Sequence, residues 1–365
     1  MPDREKVRYR QTMREILFVE LLGGVGDVLI SLPAIHALGR SYPEADLTVL
    51  TFAPGGELLE SDPLIHEVVQ ISSPDPTHPH RAYAAVEEML ARRSWDLVIS
   101  DTSYDGIDTL IRGCGASRVV ADLWRSPPPD EHVGTRFLRI FLEERLVEPE
   151  TTSSSCLHLA PEERSAAAEK LASVRRPLVF LLPDAGMQVK RWSEERWGSL
   201  GRALCGVYGA EIVVPVGSDS KQASRIARLI GERGGVWPRG PLRELAAALS
   251  CADLAVGVDT GPTRIAAALE VPTVTLFGPS WHGRYGHPPP HVNLQGYYQC
   301  PQRIVSDFTQ QPCWYEGTCT LEGRLWRTCL EDISASAVLD AVAPFLRVCA
   351  SSAPVRRAGS RGGVR

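Results

Sequence analysis

Three short segments of this chain gather side chains and backbone suited to handling a phosphate-bearing ligand and activating a hydroxyl. The first is Leu22-Gly23-Gly24-Val25-Gly26-Asp27. Gly23, Gly24 and Gly26 let the backbone come close to a ligand, and a helix starting there offers free N–H groups. Asp27 supplies a carboxylate that reads either as a helix cap or as a general base. The second segment runs from Pro183 to Trp192 and places Lys190 beside Arg191. Two adjacent cations suit a diphosphate through charge-assisted hydrogen bonds, although a solvated pair gives the same pattern. Lys190 stands out because the chain has 4 lysines against 35 arginines. The third segment is Gly257-Val258-Asp259-Thr260-Gly261-Pro262. Pro262 suits a first helical position, and N–H groups at such a helix start form an anion site. Asp259 would repel phosphate, so it is expected to face a sugar hydroxyl or the reacting centre. An ordinary capping network at Asp259–Thr260 is the other reading.

Each segment falls where an apolar run gives way to helical periodicity, the signature of stacked βαβ units with parallel sheets. In the first half, strands are expected at Ile16–Leu21, Leu47–Thr51, Asp96–Ser100 and near Val119, with a helix over Val28–Arg40. Ser72–His80, rich in proline and histidine, reads as a surface loop. The polar stretch Glu148–Ser155 reads as a linker, after which the pattern restarts. Strands are then expected at Leu178–Leu182, Ile212–Val216, Leu254–Val258 and Thr273–Phe277. Helices are expected at Ser193–Tyr208, with Ser193 as its cap, at Lys221–Ile230, Pro262–Leu269 and Ala335–Val348. The fold class is therefore α/β: two Rossmann-like domains, residues 1–155 and 156–350, facing a central cleft. Residues 351–365, rich in Arg, Gly and Ser, are expected to be a disordered tail. In doubly wound sheets ligands bind beyond the carboxyl ends of the strands, which is where all three segments lie.

Composition removes several classes. Hydrophobic residues make up 44% and charged residues 23% of the 365, which is ordinary for a chain that buries full cores. A net charge of -5 gives no general attraction to nucleic acid, so none is expected as a partner. Met1–Glu15 is charged and polar, unlike a signal peptide, and no stretch approaches the roughly 18 apolar residues needed to cross a bilayer. The expected location is the cytoplasm, with contact to a membrane only at its periphery. The 9 cysteines read as thiols in that setting. Cys300, Cys313, Cys319 and Cys329 are separated by 12, 5 and 9 residues, which does not match the tight pairs of a zinc site. A nicotinamide fingerprint fails because its third glycine would fall at Leu29 and the second strand ends in Leu50-Thr51 rather than an acid.

Taken together, the three segments resemble the family-nine glycosyltransferases, the heptosyltransferases of lipopolysaccharide core assembly. The resemblance runs from about Glu15 to about Val348 and is most specific over Val256–Pro262, Ala266–Thr273 and Leu276–Pro279. Leu29–Tyr42 with Pro43 also resembles the family's first helix and the turn after it, and the C-terminal cysteines resemble it more loosely. The resemblance implies the glycosyltransferase-B architecture, with the acceptor on the N-terminal domain and the donor on the C-terminal one. It implies an inverting reaction without metal or other cofactor, in which the nucleotide sugar, ADP-heptose above all, is a co-substrate. Asp27 would be the catalytic base. Lys190, with Arg191, and the backbone at Thr260 and Gly261 before Pro262 would stabilise the departing diphosphate, while Asp259 would hold donor hydroxyls. The nucleoside would lie near Gly217 and Ser218. Two positions depart from the family: Arg264 stands where a histidine is common, and Gly23–Gly26 replace a serine-containing segment. An arginine at 264 would add a phosphate contact or mark a different donor. The acceptor is then a lipopolysaccharide core saccharide or a small natural product. A nucleotide-sugar epimerase on the same fold and a non-catalytic nucleotide-sugar binder are the rival classes.

Overall fold

Strand β1 (Glu15–Glu20) is buried from Ile16 onward because it lies in the middle of a parallel sheet, packed on both faces. The computed structural model that carries it describes residues 13–74, 77–121, 123–124, 131–153, 156–305, 312–321 and 329–351. After β1 come α1 (Val25–Ser41), β2 (Asp46–Phe52), β3 (Glu67–Ile71), α2 (Arg81–Arg92) and β4 (Leu97–Ser100). Then follow α3 (Ile107–Arg112), β5 (Arg118–Val120) and α4 (Val133–Glu143). The five strands run in the order β3-β2-β1-β4-β5. The chain therefore leaves β1 toward one edge and returns at β4 toward the other, which makes the gap between their carboxyl ends a topological switch point.

The second half repeats the plan. It contains α5 (Pro161–Lys170), β6 (Leu178–Leu182), α6 (Glu194–Tyr208), β7 (Glu211–Pro215), α7 (Gln222–Ile230) and β8 (Gly234–Trp237). It continues through α8 (Leu242–Leu249), β9 (Leu254–Val258), α9 (Gly261–Ala268), β10 (Thr273–Phe277), α10 (His282–Tyr285) and β11 (Val292–Gln295). The short α11 (Pro312–Glu316) and the long α12 (Ala335–Ser351) follow. The second sheet has the order β11-β10-β9-β6-β7-β8, so its switch point lies between β9 and β6. Helix α6 begins at Ser193, whose hydroxyl oxygen accepts the Arg196 N–H, and stops at Gly209 in the left-handed region.

The halves are joined by packing. Helix α1 lies against α4 and, across the domain boundary, against α9. One apolar cluster runs through both sheets, including Ile35 and Leu38 from α1 and Ile265 and Ala266 from α9. Arg243 on α8 donates to the carbonyls of Glu57 and Leu58, and Leu242 N–H donates to the Glu57 carboxylate, so polar contacts span the halves too.

Every strand expected from the sequence is present within a residue or so. Strands β3, β8 and β11 are additional. All three are sheet edges: β3 and β11 are half-buried throughout, and β8 opens with two glycines. Such edges carry little apolar pattern to read. Helix α1 starts three residues before the expected Val28, placing Asp27 inside its first turn. Parts of the expected loop (residues 75–76), of the linker (154–155) and of the tail (352–365) lie outside the described residues.

Candidate active site

The first loop leaves β1 at its buried end, where Leu21 N–H donates to Thr102 Oγ1 at 2.9 Å and the Tyr104 hydroxyl donates to the Leu21 carbonyl at 2.7 Å. These bonds fasten the loop to the one after β4. Gly24 is the N-cap of α1 and has no side chain to cap with; Asp27, in the first turn, sends its N–H back to the Gly24 carbonyl at 3.1 Å, and its carboxylate accepts from the Gly24 backbone in return. The Asp27 carboxylate lies over Gly23, where any Cβ would collide with Oδ2. This close approach accounts for one glycine of the loop.

The second loop follows β6 and the third follows β9, and β6 and β9 are adjacent strands. Their neighbourhood brings Lys190 and Asp259 together. Lys190 Nζ donates to Asp259 Oδ2 at 3.1 Å and to the Asp259 carbonyl at 3.3 Å. Arg264, on α9, donates from Nη2 to Asp259 Oδ1 at 2.8 Å and to the Tyr285 carbonyl at 2.7 Å. Asp259 and Arg264 are both buried. Thr260 is the N-cap of α9 but makes no side-chain cap; its hydroxyl donates to the Asp184 carbonyl at 3.2 Å. Asp259 thus serves the two cations instead of a helix cap.

Asp184 itself binds the loop after β7: the Ser218 N–H and hydroxyl donate to its carboxylate at 3.0 and 2.6 Å, and Gly217 packs against it. Gly217 and Ser218 therefore stand one residue behind the cleft wall, held by Asp184, which does line it. Arg191 is engaged elsewhere, its Nε donating to the Ala185 carbonyl at 2.9 Å, and it is not among the lining residues.

The three loops enclose a cleft of about 950 Å³. Gly24, Gly26 and Asp27 line it from the first half, and Lys190, Asp259, Thr260, Gly261, Pro262 and Arg264 from the second. Arg264 also packs against Gly26, so it reaches across the domain boundary. Leu22, Val25, Ile30, Ser103, Trp124, Ala185, Gly186, Met187 and Tyr285 also line it. Ile30, Ser103, Trp124 and Tyr285 lie outside the three segments read from the sequence, because scattered apolar and aromatic residues carry no local signal of convergence.

The electrostatics separate two carboxylates facing one another. Burial works against ionisation of Asp259, but Lys190 and Arg264 outweigh it and hold the carboxyl well below the usual range. Burial raises Asp27, and the same two cations pull it only part of the way back. One acid is thus fixed as an anion while the other is poised to take a proton. Beneath Asp27 sit two further acids that sequence reading passed over. Glu20 ends β1 and Asp101 follows β4, and both are buried. Glu20 accepts the Thr51 hydroxyl at 2.6 Å, and Asp101 accepts the Thr102 hydroxyl at 3.0 Å. Burial first, and the neighbouring carboxylates second, push Glu20 up strongly; burial likewise raises Asp101, with Asp27 adding to it.

Cys300, Cys313, Cys319 and Cys329 converge on one small cavity together with Val189 and Pro279, a convergence their spacing does not reveal. Burial pushes the Cys329 thiol up to about 11. Among the described residues no group of three His, Cys, Asp or Glu side chains is arranged to hold a metal ion. Nor is any described helix long and apolar enough to cross a membrane.

Comparison with known proteins places this geometry. The profile of glycosyltransferase family 9 (heptosyltransferase) matches residues 106–313. Lipopolysaccharide heptosyltransferase 1 of Pseudomonas aeruginosa is 34% identical over 151 residues, which are 40% of this chain and 38% of that enzyme. Lipopolysaccharide heptosyltransferase 3 of Escherichia coli K12 is 25% identical over 283 residues, 70% of this chain and 80% of that one. Among solved structures, a family 9 glycosyltransferase from Veillonella parvula superposes with a TM-score of 0.72 at 20% identity, covering 92% of this chain and 98% of that one. Escherichia coli heptosyltransferase WaaC with ADP superposes at 0.64 and 18% identity, covering 91% and 99%. At such identities the superpositions establish the shared fold.

Proposed function

The chain belongs to glycosyltransferase family 9, and from that membership we propose that it moves a sugar from a nucleotide-diphosphate donor to an acceptor hydroxyl, with inversion at the anomeric carbon. The observation that carries this reading is the meeting of Asp27 from one sheet with Lys190, Asp259 and Arg264 from the other in a single cleft. The donor is ADP-heptose, consistent with the relatives named as heptosyltransferases and with the structure containing ADP.

Asp27 takes the proton from the acceptor oxygen as that oxygen attacks the anomeric carbon from the face opposite the leaving group. The bond from the anomeric carbon to the diphosphate oxygen breaks, and charge accumulates on the diphosphate. Lys190 and the backbone at Thr260–Gly261, where α9 begins, meet that charge. Asp259 keeps Lys190 and Arg264 in place and offers carboxylate oxygens to donor hydroxyls. The nucleoside lies toward Gly217 and Ser218, and Arg191 supports the loop that carries Lys190. No cofactor is assigned, because the cations of the chain neutralise the leaving group. We place the domain boundary at residues 155–156, between the two sheets, and the enzyme in the cytoplasm.

The test is binding followed by turnover. ADP should raise the melting temperature of the wild type and of Asp27→Ala, by mass action on the folded state. ADP release from ADP-heptose should need Asp27 and be insensitive to EDTA. Stabilisation by NAD with none by ADP would overturn the reading.

A further inference from the structure

Strand pairing between β1 and β4 ends at Val19 and Ser100, and the Asp101 N–H adds one last bond to the Val19 carbonyl. Beyond that point side chains take over the ladder. Leu21 is held at both of its backbone polar groups: its N–H donates to Thr102 Oγ1 at 2.9 Å, and its carbonyl accepts the Tyr104 hydroxyl at 2.7 Å. Thr102 is oriented in turn, since its hydroxyl donates to Asp101 Oδ1 at 3.0 Å and its N–H donates to Ser100 Oγ at 3.0 Å. Leu22 N–H donates to Glu20 Oε1 at 3.3 Å. The Tyr104 hydroxyl keeps its proton for this contact, because burial first, and the neighbouring acids second, push it up to about 12.

Only Leu22, Gly23 and Gly24 separate Leu21 from the first residue of α1, and the Asp27 carboxylate lies over Gly23. Glycines leave the path of such a segment open, so its course is set at its two ends. Helix α1 fixes one end by packing on α4 and α9, and the grip on Leu21 fixes the other. The gripping loop is itself turned sharply: Asp105 (φ 56°) and Gly106 (φ 78°) are left-handed in succession, and His80 Nδ1 lies 2.9 Å from Asp105 Oδ2. A residue other than glycine is held there at a cost, a feature of segments that aim functional groups. Between the two gripping residues, Ser103 lines the cleft, so one loop both meets the contents of the cleft and holds the base.

We propose that Thr102 and Tyr104 are positioning residues for the base: by fixing Leu21 from both sides they set where the Asp27 carboxylate stands. This rests on the glycosyl-transfer reading above and adds two residues to its machinery. A base displaced by about 1 Å loses up to about a hundredfold in rate while donor binding stays intact, because Lys190 and the start of α9 meet the donor from the other half.

The experiment follows ADP release from ADP-heptose by the purified full-length chain, with a lipopolysaccharide core oligosaccharide as acceptor and, separately, with water alone. Thr102→Val leaves the buried Leu21 N–H without its acceptor and should lower kcat at least about tenfold. Tyr104→Phe should lower it about three- to tenfold, and neither variant should change the donor KM more than about twofold. Thr102→Ser, which keeps the hydroxyl, should recover most of the loss of Thr102→Val. In the Asp27→Asn background neither substitution should lower the residual rate further, because both act through the base. Tyr104 is exposed, so Tyr104→Phe stays readable if Thr102→Val does not fold. An unchanged kcat in folded Tyr104→Phe overturns the inference. So does an equal proportional loss in the Asp27→Asn background, which would mark a purely structural role, or a loss confined to the donor KM. Absence of ADP release from the wild type would instead remove the glycosyl-transfer reading on which it rests.

Discussion

Lys190 Nζ lies 3.1 Å from Asp259 Oδ2, although 69 residues separate them in the chain. The contact exists because β6 and β9 are neighbours, so the loops that leave them share one end of the sheet. Asp259 also holds Arg264, so a single carboxylate pairs with two cations that line the cleft. Removing it leaves Arg264 buried without its carboxylate, a change that costs about 3–5 kcal/mol in comparable pairs. Asp259→Ala should therefore lower the melting temperature by about 5 °C or more, and Asp259→Asn by less. Calorimetry showing a shift under about 1 °C would mean that the pair contributes nothing to the fold.

Lys190 is expected to act on the leaving group more than on substrate binding. Lys190→Ala should reduce kcat by about 10²–10³, the range for losing one preorganised charge donor, with a smaller change in donor KM. Lys190→Arg should restore part of the rate. Steady-state kinetics with ADP-heptose decide this, and a pure KM effect would assign Lys190 to ground-state binding alone.

Asp27 must be ionised to accept a proton, and burial has raised its pKa. Activity should therefore fall as the pH drops through that raised value. Asp27→Asn should lose about 10²–10⁴ in kcat while still binding ADP. Arg264 works to keep Asp27 ionised, so Arg264→Leu should move the acid limb of the kcat/KM profile to higher pH, and Arg264→Lys should move it less. A limb that stays in place in Arg264→Leu would show that the arginine does not govern the base.

Gly261 at the start of α9 packs against Val25 at the start of α1. A Cβ at residue 261 would lie 2.8 Å from Val25 Cβ and 2.9 Å from its Cγ1. Gly261→Ala should therefore push α9 away from α1 and reduce turnover, and adding Val25→Gly should recover it. Failure of the double variant to improve on the single one would locate the damage within α9 itself.

Glu20 and Asp101 supply a pH dependence of stability opposite to that of Asp259. Their folded pKa values are raised, so the folded chain binds more protons than the unfolded one above the ordinary carboxylate range. Their contribution is fully present below that range and is lost as pH rises through the raised values. The melting temperature should decline across that window, and Glu20→Gln with Asp101→Asn should flatten the decline. An unchanged slope in the double variant would assign the dependence to other groups.

The sequence by itself determined the parallel α/β plan, the carboxyl ends of the strands and the three loops beyond them. Apolar period and punctuating glycine or proline are local properties, and strands buried on both faces display them strongly. It also supplied Asp27, Lys190 and Asp259 as individuals. Only the tertiary structure decided that Asp259 stands between Lys190 and Arg264, that Glu20 and Asp101 lie beneath Asp27, and that four scattered cysteines share one cavity. Trp124 belongs with these, since nothing near it in the chain announces that Phe137 and Arg136 will brace it at the cleft. Such relations depend on which strands become neighbours, and strand order is set by packing among residues far apart in the chain, for which no local pattern exists.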